Sequence, residues 1–197
     1  MTQKYLRQVM SGREVDLALS RIASEIVEDH PVLSNLVLVG IRRRGVPLAK
    51  ELQKKIESIS GHKIPLGVLD ITFYRDDLSL VDTQPVVEGS HLDFDVASRI
   101  VLLVDDVLYT GRTTRAALES IIDYGRPQKV ELVVLVDRGH RELPIQADYV
   151  GRYIETAENE VVEVRIPWID EGEEGVYLTT AELLRSALKN TAEKNGE

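Results

Sequence analysis

The thirteen residues Val101–Thr113, VLLVDDVLYTGRT, carry the densest chemistry in the chain. Four apolar residues run into two adjacent carboxylates, Asp105 and Asp106, and a short turn with Thr110 and Gly111 follows. From Arg112 to Tyr124 the spacing is helical, so the pattern is that of a buried strand opening into a helix N-terminus. Adjacent carboxylates accept hydrogen bonds from two neighbouring ribose hydroxyls. Main-chain N–H groups of the turn, with the positive end of the helix dipole, hold a phosphate. A molecule bearing both groups is the ligand this segment suits. A plain strand and polar turn would account for the apolar run and the glycine, but not for an acid pair followed by Thr-Gly-Arg-Thr.

The elements that must position this segment are legible on either side of it. Val15–Glu28 has apolar residues at helical spacing, and Leu36–Ile41 is a short apolar strand followed by Arg42-Arg43-Arg44-Gly45. Pro47 stands in the first turn of a helix to about Ile59, which Gly61 stops. Ile64–Phe73 reads as a strand, and Tyr74–Leu92 as a long polar loop containing RDD, of the kind that forms lids. Strand Ile100–Asp105, helix Arg112–Tyr124 and strand Val130–Asp137 follow, with short strands at Val161–Ile166 and Val176–Leu178. Thr179-Thr180-Ala181-Glu182 has the form of a capping box opening a last helix. Strands alternating with helices predict an α/β fold with a mostly parallel sheet and its ligands at the carboxyl ends of the strands. RRRG, YRDD, DDVLYTGRT and DRGHREL then fall on one rim.

At 197 residues, 43% hydrophobic, the chain suits one α/β domain. It has no cysteine, which excludes disulfides and thiolate zinc sites and is compatible with a cytoplasmic location. No apolar run approaches a membrane span, and the first residues lack the shape of a signal peptide. The histidines His30, His62, His91 and His140 are scattered, without metal-ligand spacing. The formal charge is −9, of which eleven Asp/Glu against four Lys/Arg from Glu155 onward contribute −7, leaving −2 for the first 154 residues. Such a balance argues against indiscriminate nucleic-acid binding and leaves room for a local basic face.

The hydrophobic–acid–acid–loop–Thr-Gly pattern resembles the phosphoribosyl pyrophosphate (PRPP) signature of type I phosphoribosyltransferases. IRRRG, DITFYRDDL, VDDVLYTGRT, DYGRP and VLVDRGHRELPI together resemble the PyrR family over roughly residues 13 to 153. These are uracil phosphoribosyltransferases that in many bacteria also regulate the pyrimidine operon by binding its messenger RNA. The IETAENE stretch departs from the family pattern, which commonly carries a Thr/Ser- and Lys/Arg-bearing segment there. The resemblance implies a single phosphoribosyltransferase domain over 1–197, with a lid loop, a small hood and a C-terminal helical extension from about 179.

The implied reaction moves a ribosyl 5-phosphate from PRPP to uracil, giving UMP and pyrophosphate. The resemblance assigns Val104, Asp105, Asp106, Val107, Leu108, Tyr109, Thr110, Gly111, Arg112 and Thr113 to PRPP, with Asp105 and Asp106 also catalytic. It assigns Arg43, Arg44, Gly45 and Arg75 to pyrophosphate, and Asp137, Arg138, Tyr149, Val150 and Val161 to the base. Guanidinium groups suit a departing pyrophosphate, and glycine permits close backbone approach. Mg²⁺ arrives with PRPP, held mainly by substrate oxygens and water, with no dedicated protein metal site. Tyr109 stands where some purine-specific relatives carry an acidic base.

RNA-binding members present a basic dimer face, so a homodimer or higher homo-oligomer and a pyr mRNA leader are the implied partners. Arg21, Arg141 and Arg152 are the candidate phosphate contacts. Against them stand Glu25, Glu28 and Asp29 in the first helix, and Gln146 where relatives often have Arg. Two alternatives stay open: a phosphoribosyltransferase without RNA binding, and a UMP sensor with little catalysis. A ribose-phosphate pyrophosphokinase shares the PRPP pattern, but the single-domain length and DRGHREL count against it.

Overall fold

Residues whose side chains must be dry on both faces form central parallel strands, and Leu36–Ile41, buried at every position, is such a segment. The computed structural model describes residues 7–74, 89–166, 169–170 and 174–183. In chain order the elements are β1 (Arg7–Ser11), α1 (Gly12–Asp29), β2 (Leu36–Ile41), α2 (Gly45–Ser60), β3 (Leu66–Leu69), β4 (Ile100–Leu108), α3 (Arg112–Asp123), β5 (Lys129–Asp137), β6 (Tyr149–Tyr153), β7 (Glu160–Arg165) and β8 (Gly175–Thr180). They group into two compact units, one of residues 18–154 and one of residues 1–17 with 155–197.

The larger unit is a five-stranded sheet in the order β3-β2-β4-β5-β6, parallel throughout. Alternation along the strands sends Val37, Val39, Val101, Leu103 and Val134 to the face covered by Ala116, Ala117 and Ile121 of α3. α2 lies against β2, β4 and β3 and buries Leu48, Leu52 and Ile56. Both edges of the sheet have partners. His91 forms an antiparallel bridge with Val68 of β3, with both N–H···O bonds at 2.8 Å. At the other edge, the Arg21 guanidinium donates to the Val150 and Gly151 carbonyls of β6 at 2.8 and 2.7 Å.

The smaller unit holds an antiparallel sheet in the order β1-β8-β7. α1 starts three residues before Val15 because Ser11 and Glu14 form a capping box. The Ser11 N–H donates to Glu14 Oε2 at 2.9 Å and the Glu14 N–H to Ser11 Oγ at 3.4 Å. The box expected at Thr179–Glu182 is displaced by one residue. The acceptor is Thr180 Oγ1, reached by the Leu183 N–H at 3.2 Å, while Thr179 is buried in β8. No helix among the described residues is long and apolar enough to cross a membrane.

Candidate functional site

All strands of the larger sheet point the same way, so the segments following β2, β3, β4, β5 and β6 share one rim. At its centre β4 continues past the expected end at Asp105, pairing Val107 with Val136 and Leu108 with Asp137. Asp105 is buried, and its Oδ1 accepts the Asp106 N–H at 2.9 Å. Asp106 is half-buried, and its Oδ1 accepts the Val107 N–H at 2.9 Å. Desolvation pushes the Asp106 carboxyl above the ordinary carboxylate range, opposed by the Arg44 charge, the Asp105 side chain and the Val107 N–H.

The turn after β4 leads straight into α3. Gly111 is its N-cap residue, at φ 92, where a side chain would be strained and its Cβ would meet Ile145 at 3.3 Å. The Thr110 hydroxyl accepts the Arg112 N–H at 3.4 Å, and the Thr110 carbonyl accepts the N–H groups of Glu142 and Leu143. Thr113 lies in the first turn of α3 and is half-buried.

Arg42, Arg43 and Arg44 join β2 to α2 on the adjacent part of the rim, and the Arg42–Arg43 peptide is cis. Arg43 is exposed and Arg44, half-buried, brings its charge to Asp106. Gly45 is required by contact inside the protein: a Cβ there would lie 2.3 Å from the Val104 carbonyl oxygen. The start of α2 therefore rests on β4 directly before the acid pair, and the two segments cannot be moved independently.

After β5 come Asp137 and Arg138, both buried despite their charge. Asp137 accepts the Gly139 N–H at 3.0 Å and pairs with Arg141. The Arg138 N–H donates to the Leu108 carbonyl at 3.1 Å, and its guanidinium stacks over the Tyr109 ring at 4.1 Å. The His140 ring stands edge-on to Tyr109, with centroids 5.9 Å apart. Tyr109 is thus joined to the expected base segment, a link that no sequence spacing reveals.

Tyr149 and Val150 are corrected by the register. β6 runs parallel to β5, with Tyr149 beside Val133 and Tyr153 beside Asp137. Tyr149 therefore stands four residues, about 13 Å, below the rim at roughly 3.3 Å per residue. Its hydroxyl donates to Asp29 Oδ2 at 3.0 Å and lies 3.3 Å from His30 Nε2, which bonds Glu131 at 2.8 Å. Val150 is buried in the cluster against α3. Exposed Tyr153 and the following Ile154, whose N–H bonds the Asp137 carbonyl at 2.9 Å, are the rim residues of β6. Val161 lies on β7 in the smaller unit.

Of the expected pyrophosphate set, Arg75 lies outside the described residues, as does most of the Tyr74–Leu92 loop. The ends of that loop are pinned by Asp70. Its Oδ1 accepts the Thr72 N–H and hydroxyl at 3.0 and 2.6 Å, and its Oδ2 accepts the Gly89 N–H at 3.2 Å. This Asx turn also ends β3 short of the expected Phe73, and the spacing Asp70-x-Thr72 was its signal. Among the arginines proposed for RNA, Arg21 is committed to Val150, Gly151 and Glu25. Arg141 is committed to Asp137 and to main-chain carbonyls. Both guanidinium groups thus make intramolecular bonds, while the Arg21 side chain stays 48% exposed. Arg152, on β6, is half-buried.

The family model for the phosphoribosyl transferase domain matches residues 7–168, a span wider than 13–153. The Bifunctional protein PyrR of Pelotomaculum thermopropionicum is 54% identical, over 89% of this chain and 97% of that one. The Bifunctional protein PyrR of Clostridioides difficile is 54% identical, over 87% and 96%. This chain belongs to the PyrR family of phosphoribosyltransferases. The PyrR match spans nearly the full length of these relatives, so both units belong to the family's design. The type I phosphoribosyltransferase fold is shared with the hypoxanthine phosphoribosyl transferase of Trypanosoma cruzi. That likeness has a TM-score of 0.73 at 16% identity, over 94% of this chain and 96% of that one. A hypoxanthine phosphoribosyltransferase of Staphylococcus aureus follows at 0.68 and 19%, over 91% and 96%. At such identities the likeness concerns the fold alone.

Proposed function

We propose that this PyrR member transfers the ribosyl 5-phosphate of PRPP to uracil, yielding UMP and pyrophosphate, and regulates pyrimidine genes by UMP-dependent binding to a pyr mRNA leader. The observation that carries the catalytic half is the meeting of Asp105–Asp106, the Thr110–Thr113 turn and Arg44 on one rim. Asp105 and Asp106 hold the ribose hydroxyls, and their charge faces the cationic ribosyl formed as pyrophosphate leaves. The N–H groups of the turn and the Thr110 and Thr113 hydroxyls hold the 5-phosphate. Arg43 and Arg44 take the pyrophosphate, whose developing charge is largest after the bond breaks, so their contribution rises along the reaction. Asp137 and Arg138 read the pyrimidine edge. Arg75 is a further candidate for pyrophosphate.

Mg²⁺ would be held mainly by PRPP oxygens and water, with the oxygen donors of Asp105 and Asp106 beside it, and would neutralise part of the pyrophosphate charge. The PyrR name of the relatives supports the regulatory half, with a homodimer or larger homo-oligomer as the binding species. Arg21, whose side chain is 48% exposed, and Arg152 are the RNA candidates. Initial rates of pyrophosphate release from PRPP with uracil, cytosine and hypoxanthine test the catalytic half. Uracil alone is expected to turn over, and equal or faster reaction with hypoxanthine refutes the base assignment. Titration of a labelled leader RNA with and without UMP tests the other half, where absence of UMP-enhanced binding refutes it.

A further inference from the structure

The segment after β5, Gly139 to Ile145, packs against the phosphate turn through a concentrated set of bonds. The N–H groups of Glu142 and Leu143 converge on the Thr110 carbonyl at 3.0 and 3.1 Å. The Arg141 guanidinium donates to the carbonyls of Tyr109 at 2.7 Å, Gly139 at 3.0 Å and Ile145 at 3.0 Å, and to the Asp137 carboxylate. Arg112 pairs with Glu142 at 2.6 Å, and Ile145 fills the space beside Gly111.

These bonds have a geometric consequence for the opposite side of the turn. A trans peptide is planar, so its N–H points away from its C=O. The carbonyl of Tyr109 shares a plane with the N–H of Thr110, and the carbonyl of Thr110 with the N–H of Gly111. Fixing both carbonyls toward the 139–145 segment therefore fixes both N–H donors away from it. Those are the donors of the phosphate cradle. The Thr110 and Thr113 hydroxyls can rotate, but these N–H groups cannot be aimed by anything except the carbonyls behind them.

We propose that Arg141 is a positioning residue for the 5-phosphate: by holding the Tyr109 carbonyl it aims the Thr110 N–H into the phosphate cradle. Through Asp137 it ties that setting to the base loop, so that the site selects a nucleoside 5′-monophosphate over the nucleoside. This rests on the nucleotide-site reading above. The role needs a planar fork of several N–H donors serving carbonyls and a carboxylate at once, which lysine cannot supply. It also gives HREL a role distinct from reading the base or contacting RNA.

The test is the ratio of uridine to UMP dissociation constants, measured by calorimetry on the full chain for the unaltered protein, Arg141→Met and Arg141→Lys. The unaltered protein should prefer UMP; if it shows no preference, the nucleotide-site reading itself fails. If it does, the ratio should fall by about tenfold or more in Arg141→Met, the scale of one charge-assisted hydrogen bond. In Arg141→Lys a fall of several-fold is expected. A general loss of structure would weaken both ligands together and leave the ratio in place, so the ratio isolates positioning. A folded Arg141→Met with an unchanged ratio overturns the proposal. Where Arg141→Met does not fold, an unchanged ratio in Arg141→Lys overturns it equally. Loss of leader-RNA binding with the ratio intact also overturns it, and makes Arg141 an RNA contact.

Discussion

Replacing Tyr149 by Phe separates a residue of the sheet's far end from a residue of the base pocket. The Tyr149 hydroxyl is buried, donates to Asp29 at 3.0 Å, and lies near the His30–Glu131 pair. A hydrogen bond to a charged group contributes about 1.5–3 kcal/mol, and the exposure of Asp29 to water reduces that to roughly 1–2 kcal/mol. For a chain of this size 1 kcal/mol moves the melting temperature by about 2–4 °C, so a drop of roughly 2–8 °C is expected. The KM for uracil should stay within about twofold, since the ring stands about 13 Å from Asp137 along the strand direction. The alkaline limb supplies an independent check. Burial, then the Asp29 bond, raise the Tyr149 phenol well above its ordinary value of 10. The folded chain thus keeps a proton that the unfolded chain releases, and the phenol's contribution is complete below pH 10 and lost as pH rises above it. Tyr149→Phe should lose less stability than the unaltered protein on going above pH 10. Thermal melts across pH and uracil saturation curves decide the matter. A several-fold rise in the uracil KM with an unchanged melting temperature refutes the register argument.

Asp106→Asn should raise thermal stability at neutral pH while lowering turnover at least about tenfold. The native carboxyl titrates above its ordinary value, so its ionisation costs stability as pH rises through that range, and Asn removes the cost. Melts at pH 4 and pH 7 with parallel rate measurements test this, and a lower melting temperature at pH 7 counts against it. Gly45→Ala should destabilise by about 1–3 kcal/mol or more, because the added Cβ meets the Val104 carbonyl oxygen at 2.3 Å; denaturant unfolding with an unchanged midpoint contradicts the contact. Gln146→Arg with Glu28→Arg, both exposed positions, should tighten leader-RNA binding and steepen its log–log salt slope by roughly 0.7 per added contact on single-stranded RNA. An unchanged slope places the RNA face elsewhere.

Long apolar segments were legible because their burial leaves no alternative. β2 has the bounds read from its sequence, and α3 starts at the expected Arg112. β6 was not legible, because Gly151 in YVGRY reads as a breaker. In the fold that glycine is demanded by contact, since a Cβ would lie 2.4 Å from the Leu135 carbonyl oxygen. Without β6, nothing in the sequence indicates which end of ADYVG faces the rim, and the resemblance alone assigns Tyr149 to the base. The rim itself was legible, because each motif follows a strand and parallel strands share one end. What each rim residue touches was not. Arginine has the same signature in a sequence whether it waits for a phosphate or, like Arg141, is spent on carbonyls of its own chain. The Ser11–Glu14 box was readable by rule, while the tandem threonines at 179 and 180 offered two frames and the burial of β8 chose the second.

The two occupied sheet edges bear on how copies of this chain can associate. An open edge strand is a template on which another chain can add itself, in ordered oligomers and in aggregates alike. On β3 the Val68 peptide groups that would recruit such a strand are consumed by His91. On β6 the Arg21 fork occupies two successive carbonyls. These contacts disfavour strand addition at Val68 and at the Val150–Gly151 carbonyls, and so favour assembly of the larger unit through side chains on helix and loop surfaces. Arg21→Ala would reopen β6, and slow growth of sheet-rich aggregates at elevated concentration would be its expected consequence.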